Sequence, residues 1–202
     1  MKPKLSIVIP CYNMGDFAQE AIASVLDYPN QEAIEIIVVN DGSNDNNHTK
    51  NILDSYTNSN IKIIHQENTG LGKARNNGIK AANAPYVIPL DADNKLRHDY
   101  ITKGISFLDD NTEIGLVYGN NRQFGMYDQD VIVGEFDASR LLHKNYIDAC
   151  VVLRKSAWES VKGYDEHMPI MGYEDWDLNM RLFSKGWQFK YINEIRIIYE
   201  KK

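Results

Sequence analysis

Asp91 and Asp93 stand one residue apart in "VIPLDADNKL", directly after an apolar run. In an extended chain, residues i and i+2 point to the same side, so the two carboxylates crowd together. Like charges side by side are unfavourable. Asn94 and Lys95 leave that charge largely uncompensated nearby. Two explanations stay open. The acids cap a turn, as Asp often does, or they hold a hard divalent cation such as Mg2+ or Mn2+ beside phosphate oxygens.

Four further stretches carry candidate chemistry. Asp41 in "VVNDGSNDN" follows a β-branched run, either as part of an Asp-Gly turn or as an acceptor for a base or ribose donor. Arg75 lies on the next helical segment but one, a solvated charge or a nucleotide contact, and Tyr12 could pack beside a base. In "MGYEDWDLNMRL", Glu174, Asp175 and Asp177 fall in the first turn of a helix, where the dipole favours acids by about 0.3–1 kcal/mol each. The dipole does not account for Trp176 among them, or for the Gly172-Tyr173 lead-in. A carboxylate against an aromatic wall, with its pKa tuned towards neutrality, suits a general base.

The elements that must position these residues alternate. Strands are expected at 5–10, 34–40, 61–66 and 86–90, with helices at 17–28, 49–56 and 70–83 between them. This pattern predicts an α/β fold, with a mainly parallel sheet and right-handed crossovers. Ligands then bind beyond the carboxyl ends of the strands, where the polar groups gather. The second half predicts a helix at 97–110 and an antiparallel pair from "LVYGNNRQF" and "VIVGEF". A short helix at 137–144, a strand at 149–154, a helix at 173–187 stopped near Gly186, and two terminal strands follow.

Composition sets the class. The 202 residues are 43% hydrophobic and 25% charged, enough for one domain with a sizeable core. Net charge is −6 with no basic run, which argues against a nucleic-acid partner. Cys11 and Cys150 sit in apolar runs and read as buried free thiols. No signal-peptide core is evident, and no apolar run approaches the roughly 20 residues of a membrane helix. A soluble cytoplasmic protein is expected.

Together, "IPCYN", "VVNDGSNDN", "HQENTGLGKARNNGI", "PLDADN" and "GYEDWDLNMRL", in this order from about Leu5 to Trp187, resemble the family 2 glycosyltransferases. The resemblance implies a GT-A fold, a Rossmann-like and mainly parallel central sheet flanked by helices, with a small antiparallel sheet on the acceptor side. It implies one domain over 1–202, with residues 1–96 holding the nucleotide-sugar and residues 97–202 the acceptor and the base. Pro10, Tyr12, Asp41 and Arg75 would bind the nucleotide. Asp93 would bind Mn2+ or Mg2+ directly, and Asp91 would reach the ribose or the metal through water. Asp175 would be the base, with Glu174 the second candidate, and Trp176 and Tyr173 would face the acceptor sugar.

The implied reaction moves a sugar from a nucleoside-diphosphate sugar, a UDP-sugar first, to a hydroxyl of a glycan or lipid-linked acceptor in cell-surface polysaccharide synthesis. It inverts the anomeric centre, and peripheral association with the inner face of the membrane is compatible with it. The alternative is a noncatalytic nucleotide-sugar-binding domain of a larger glycan-assembly protein. A sugar-nucleotide pyrophosphorylase is disfavoured, because "PCYNMGDF" lacks the basic, Gly-rich grip on a triphosphate. Many relatives continue past the point matching Lys202, and no histidine follows His167. Water and diphosphate would then complete the metal shell, or the chain is a shortened form.

Overall fold

The computed structural model describes residues 2–126 and 128–201. Strand β1 (Leu5–Cys11) is buried along its whole length and runs parallel to β2 (Ile34–Asp41) on one side and β4 (Tyr86–Pro89) on the other. Strand β3 (Ile61–Gln66) adds parallel outside β2. Helices α1 (Gly15–Leu26), α2 (His48–Asp54) and α3 (Leu71–Ala81) make the crossovers. The order β3-β2-β1-β4 reverses at β1, which opens a crevice at the strand ends between β1 and β4.

Alternation along each strand assigns its side chains to two cores. On β1, Leu5, Ile7 and Ile9 join one cluster, and Val8 joins the other. Ile36 and Val38 on β2 take the first face, and Ile37 and Val39 the second. Each cluster also draws residues from beyond position 96, including Tyr100 and Ile197 in one and Leu178 and Phe189 in the other. Glycine allows the closest helix approach: an added Cβ at Gly78 of α3 would lie 2.3 Å from Val8 Cγ1.

The remainder comprises β5 (Asn94–Leu96), α4 (His98–Asp110), β6 (Ile114–Gly125), β7 (Gln129–Val131), α5 (Ala138–His143), β8 (Val152–Arg154), α6 (Lys155–Ser160), α7 (Glu174–Ser184) and β9 (Gln188–Lys201). Among the described residues, all nine strands form one sheet, ordered β3-β2-β1-β4-β8-β6-β9-β5 with β7 on β6. The antiparallel pairs are therefore continuous with the parallel half.

Several boundaries differ from expectation for identifiable reasons. The partner of β6 is 129–131, short of the expected "VIVGEF". Gly134 there has φ +84°, and the Val133 N–H is taken by Asn120 Oδ1 at 2.9 Å. Tyr127, in the connection between the two strands, lies outside the described residues. The expected strand at 149–154 shortens to β8, and a helix, α6, follows it directly. The two expected terminal strands are one, because Asn193 Oδ1 accepts from Asn120 Nδ2 at 2.8 Å and Tyr191 Oη at 3.2 Å inside the sheet. Strand β5 was not anticipated.

Candidate active site

The crevice holds a cavity of about 360 Å³. Pro10, Tyr12, Asp41, Asp91 and Asp93, five of the residues expected to meet a nucleotide or a metal, line it. They come from the carboxyl ends of β1, β2 and β4. Sequence reasoning missed Met14, Leu71 and Met171 in the wall. Apolar residues near a loop read as ordinary packing, and Met171 carried no signal at all.

Asp41 is buried at the end of β2. Its Oδ1 accepts from Gln66 Nε2 at 2.7 Å and from the Thr69 N–H at 2.9 Å, and its Oδ2 accepts from the Gly70 N–H at 2.9 Å. The carboxylate thus ties the 66–70 loop to the strand end. An Oδ2 with one donor keeps acceptor capacity for a ligand N–H or O–H. The Asp-Gly turn is needed as well: a Cβ at Gly42, where φ is +68°, would lie 2.4 Å from the Asn68 nitrogen.

Asp91 and Asp93 occupy a turn between β4 and β5, closed by the Asn94 N–H donating to the Asp91 carbonyl at 3.0 Å. They are not strand neighbours on one face. Nor is their charge uncompensated: Arg75 Nη2 donates to Asp91 Oδ1 at 2.5 Å, and Lys95 pairs instead with Glu20 at 2.8 Å. Arg75 comes from α3, too far along the chain for local reading to find. Asp93 is exposed at the cavity mouth.

Among the described residues, no three His, Cys, Asp or Glu side chains gather as a metal cluster. Two carboxylates at a cavity mouth still fit the way Mg2+ and Mn2+ are held, by one or two protein oxygens with phosphate and water completing the shell. Asp93, with Asp91 beside it, would hold such an ion.

Arg75, expected to contact the nucleotide, does not line the cavity. It is buried beneath the floor, with its Cζ 5.5 Å from the centre of the Tyr164 ring and its Nε without a hydrogen-bond partner. Burial works against its charge, but Asp91 and Asp175 hold it firmly cationic. Arg75 therefore links the paired acids to the candidate base electrostatically.

Asp175 lies in the first turn of α7, which Gly172 at φ +94° introduces. Its Oδ1 accepts from the Trp176 N–H at 2.8 Å and from Asn145 Nδ2 at 3.0 Å. Burial pushes its carboxyl up to about 6, with Asp148 adding to the rise and Arg75 and the two donors opposing it. A carboxylate so poised suits proton abstraction near neutral pH.

Its neighbours take other duties. Glu174, the second candidate, is buried, and its Oε2 accepts from the Gly172 N–H at 2.8 Å, so it shapes the turn. Asp177 pairs with Arg181 along the helix at 2.6 Å. Trp176 was expected to face an acceptor, but its Nε1 donates to the Leu141 carbonyl at 2.6 Å and its ring packs on the core. Tyr173 is the exposed member of that aromatic pair, 5.7 Å from Trp176 between ring centres.

Both cysteines are buried free thiols. Burial raises Cys11 to about 11, so it is no nucleophile at neutral pH although it touches the cavity. Arg196, also missed, is fully buried and donates to Asp148 Oδ2 at 2.7 Å, Asn121 Oδ1 at 2.8 Å and the Cys150 carbonyl at 2.9 Å. In "EIRIIYE" it reads as the solvent side of a strand.

The family model described as glycosyl transferase family 2 matches residues 6–161, and one described as the N-terminal domain of galactosyltransferase matches 138–202. An uncharacterized glycosyltransferase of Rickettsia bellii is 32% identical over 195 residues, 90% of this chain and 27% of that protein. Chondroitin synthase of Pasteurella multocida is 29% identical over 202 residues, 96% of this chain and 20% of that protein. The crystal structure of S. aureus TarS 1-349 in complex with UDP superposes with a TM-score of 0.80 at 21% identity, covering 100% of this chain and 61% of that one. The fold is the expected GT-A fold. In eight curated relatives the matched region makes up between 16% and 32% of that protein's length. The match over residues 6–161 covers more than half of the chain, which belongs to glycosyl transferase family 2.

Proposed function

We propose that this chain transfers a sugar from a nucleoside-diphosphate sugar, a UDP-sugar first, to a hydroxyl of a glycan or lipid-linked acceptor. The observation that carries the reading is one arrangement. Asp41, Asp91 and Asp93 converge on a single cavity, and Arg75 links its floor to a carboxyl raised towards neutrality, Asp175. The UDP held by TarS and the polymer named for the Pasteurella relative support the donor and acceptor classes.

The nucleotide would lie across the strand ends against Pro10 and Tyr12, with Asp41 Oδ2 accepting from its base. Asp93 and Asp91 would hold Mn2+ or Mg2+, which when bound offsets charge on the diphosphate. Asp175 takes the acceptor's hydroxyl proton. The acceptor oxygen bonds to the anomeric carbon as the bond to the diphosphate oxygen breaks, and the electron pair leaves with the nucleoside diphosphate. One displacement of this kind inverts the anomeric centre. Tyr173 offers the acceptor an exposed ring. On this reading residues 1–96 serve the donor and 97–202 the acceptor, in the cytoplasm at the inner face of the membrane. Among the described residues no helix is long and apolar enough to cross a membrane.

The test is release of nucleoside diphosphate from a panel of UDP-sugars and GDP-mannose, with oligosaccharide acceptors and Mn2+. Acceptor-dependent release from one donor is expected. Donor binding without turnover for every acceptor would favour the noncatalytic alternative.

A further inference from the structure

The segment between α5 and β8 is registered on α7 by two side chains. Asp175 and Asn179 stand four residues apart on α7, on the same helical face. Asn179, itself buried, donates from Nδ2 to the Ile147 carbonyl at 2.9 Å. Asn145 reaches back in the other direction, from Nδ2 to Asp175 Oδ1 at 3.0 Å. Tyr146 between them is pinned in turn. Its hydroxyl accepts from the Asp137 N–H at 2.9 Å, and the Arg140 guanidinium sits 4.0 Å from its ring centre.

The amide of Asn145 gives something up to hold this position. Its Oδ1 is buried without a hydrogen-bond partner. An orphaned buried oxygen is costly, and the hydrogen bond from Nδ2 to Asp175 offsets that cost. Together with the Trp176 N–H at 2.8 Å, this bond gives Oδ1 of Asp175 two donors. An sp2 oxygen with two donors has its lone pairs used.

We propose that Asn145 is a positioning residue for the transfer reaction: by holding Oδ1 of Asp175, it leaves Oδ2 as the oxygen that meets the acceptor hydroxyl. The inference rests on Asp175 being the base. Without Asn145 the carboxylate would rotate about its Cβ–Cγ bond and offer either oxygen at a poorer angle. It would also lose a donor that favours its charged form. The other groups facing it are Arg75 from α3, Asp148 from the same segment as Asn145, and Tyr164 from the loop after α6. None of these makes a hydrogen bond to Asp175 among the described residues.

The experiment is a carbon-13 carboxyl titration of Asp175 in the full chain, for the wild type and for Asn145→Ala and Asn145→Asp, run beside donor kinetics. In Asn145→Ala the Asp175 midpoint should rise by about one pH unit, the size expected for one lost donor to a charged group. Turnover should fall by about tenfold or more while donor KM stays within about twofold, since the residue acts on the base and not on the nucleotide. Asn145→Asp keeps the side-chain shape if the alanine variant does not fold. It should give a coupled pair with one midpoint raised well above the wild-type value. An Asp175 midpoint unmoved in the variants would overturn the proposal, as would a lowered one. The titration decides this without any donor. A wild type that transfers no sugar would count against the proposed function, whereas an unmoved midpoint counts against Asn145.

Discussion

At the scale of single residues, Asp175 joins two consequences of one environment. Its burial raises the carboxyl from 3.8 to about 6. A base with that midpoint is mostly ionised at pH 7, so the rate of transfer should fall as pH drops through about 6. Asp175→Asn should keep donor affinity and lose about 10²–10⁴-fold in turnover, the usual contribution of a positioned base. The same shift affects stability. Below 3.8 the group is protonated in both folded and unfolded chains and contributes nothing. Above about 6 it is ionised in both, and the folded state bears the full cost of the buried charge. Asp175→Asn should therefore be more stable than the wild type by about 1–3 kcal/mol at pH 8, and equal to it at pH 3.5. Urea unfolding at the two pH values measures this. A variant less stable than the wild type at pH 8 would mean that the charged form is held by more than Asn145, Trp176 and Arg75.

At the scale of elements, α3 is the piece on which the site is assembled. It carries Arg75 into the floor, and its neighbour Asn76 fastens the loop that leads to α7. Asn76 Oδ1 accepts from the Tyr164 N–H, and its Nδ2 donates to the Tyr164 carbonyl, both at 2.9 Å in a buried setting. Asn76→Ala leaves both backbone groups unpartnered and should cost about 2–4 kcal/mol, read as a shift in urea midpoint. The strands and helices of the first half were legible because β-branched runs and helical spacing alternate cleanly there, and the acids at the strand ends fell where the topology puts ligands. Contacts between elements were not legible. Nothing near Asp91 in the chain announces Arg75, and Asn145 lies 30 residues from the carboxylate it holds. The indole hydrogen bond of Trp176 was hidden for the same reason: its partner, Leu141, is on another helix. Strand β5, three residues long, offers no periodicity to detect.

At the scale of the whole molecule, one sheet and two shared cores join residues 1–96 to residues 97–202. Unfolding should then be a single calorimetric transition, with two resolved transitions as the contrary result. Arg196, from β9 and itself fully buried, anchors this union by holding Asp148 and Asn121. Arg196→Met removes the partner of a half-buried carboxylate and should lower stability by about 2–4 kcal/mol, discounted from the cost of breaking a fully buried pair because Asp148 keeps some solvent. The union also means that the paired acids and the candidate base share one frame, as the proposed transfer would require. On the proposed function, the cavity at the strand ends takes a nucleoside diphosphate with a cation on Asp93. Calorimetric titration of the chain with UDP, with and without Mn2+, on the wild type and on Asp93→Ala, tests it most directly. Binding should depend on Mn2+ and be lost in the variant; binding that needs no metal and survives Asp93→Ala would overturn this reading.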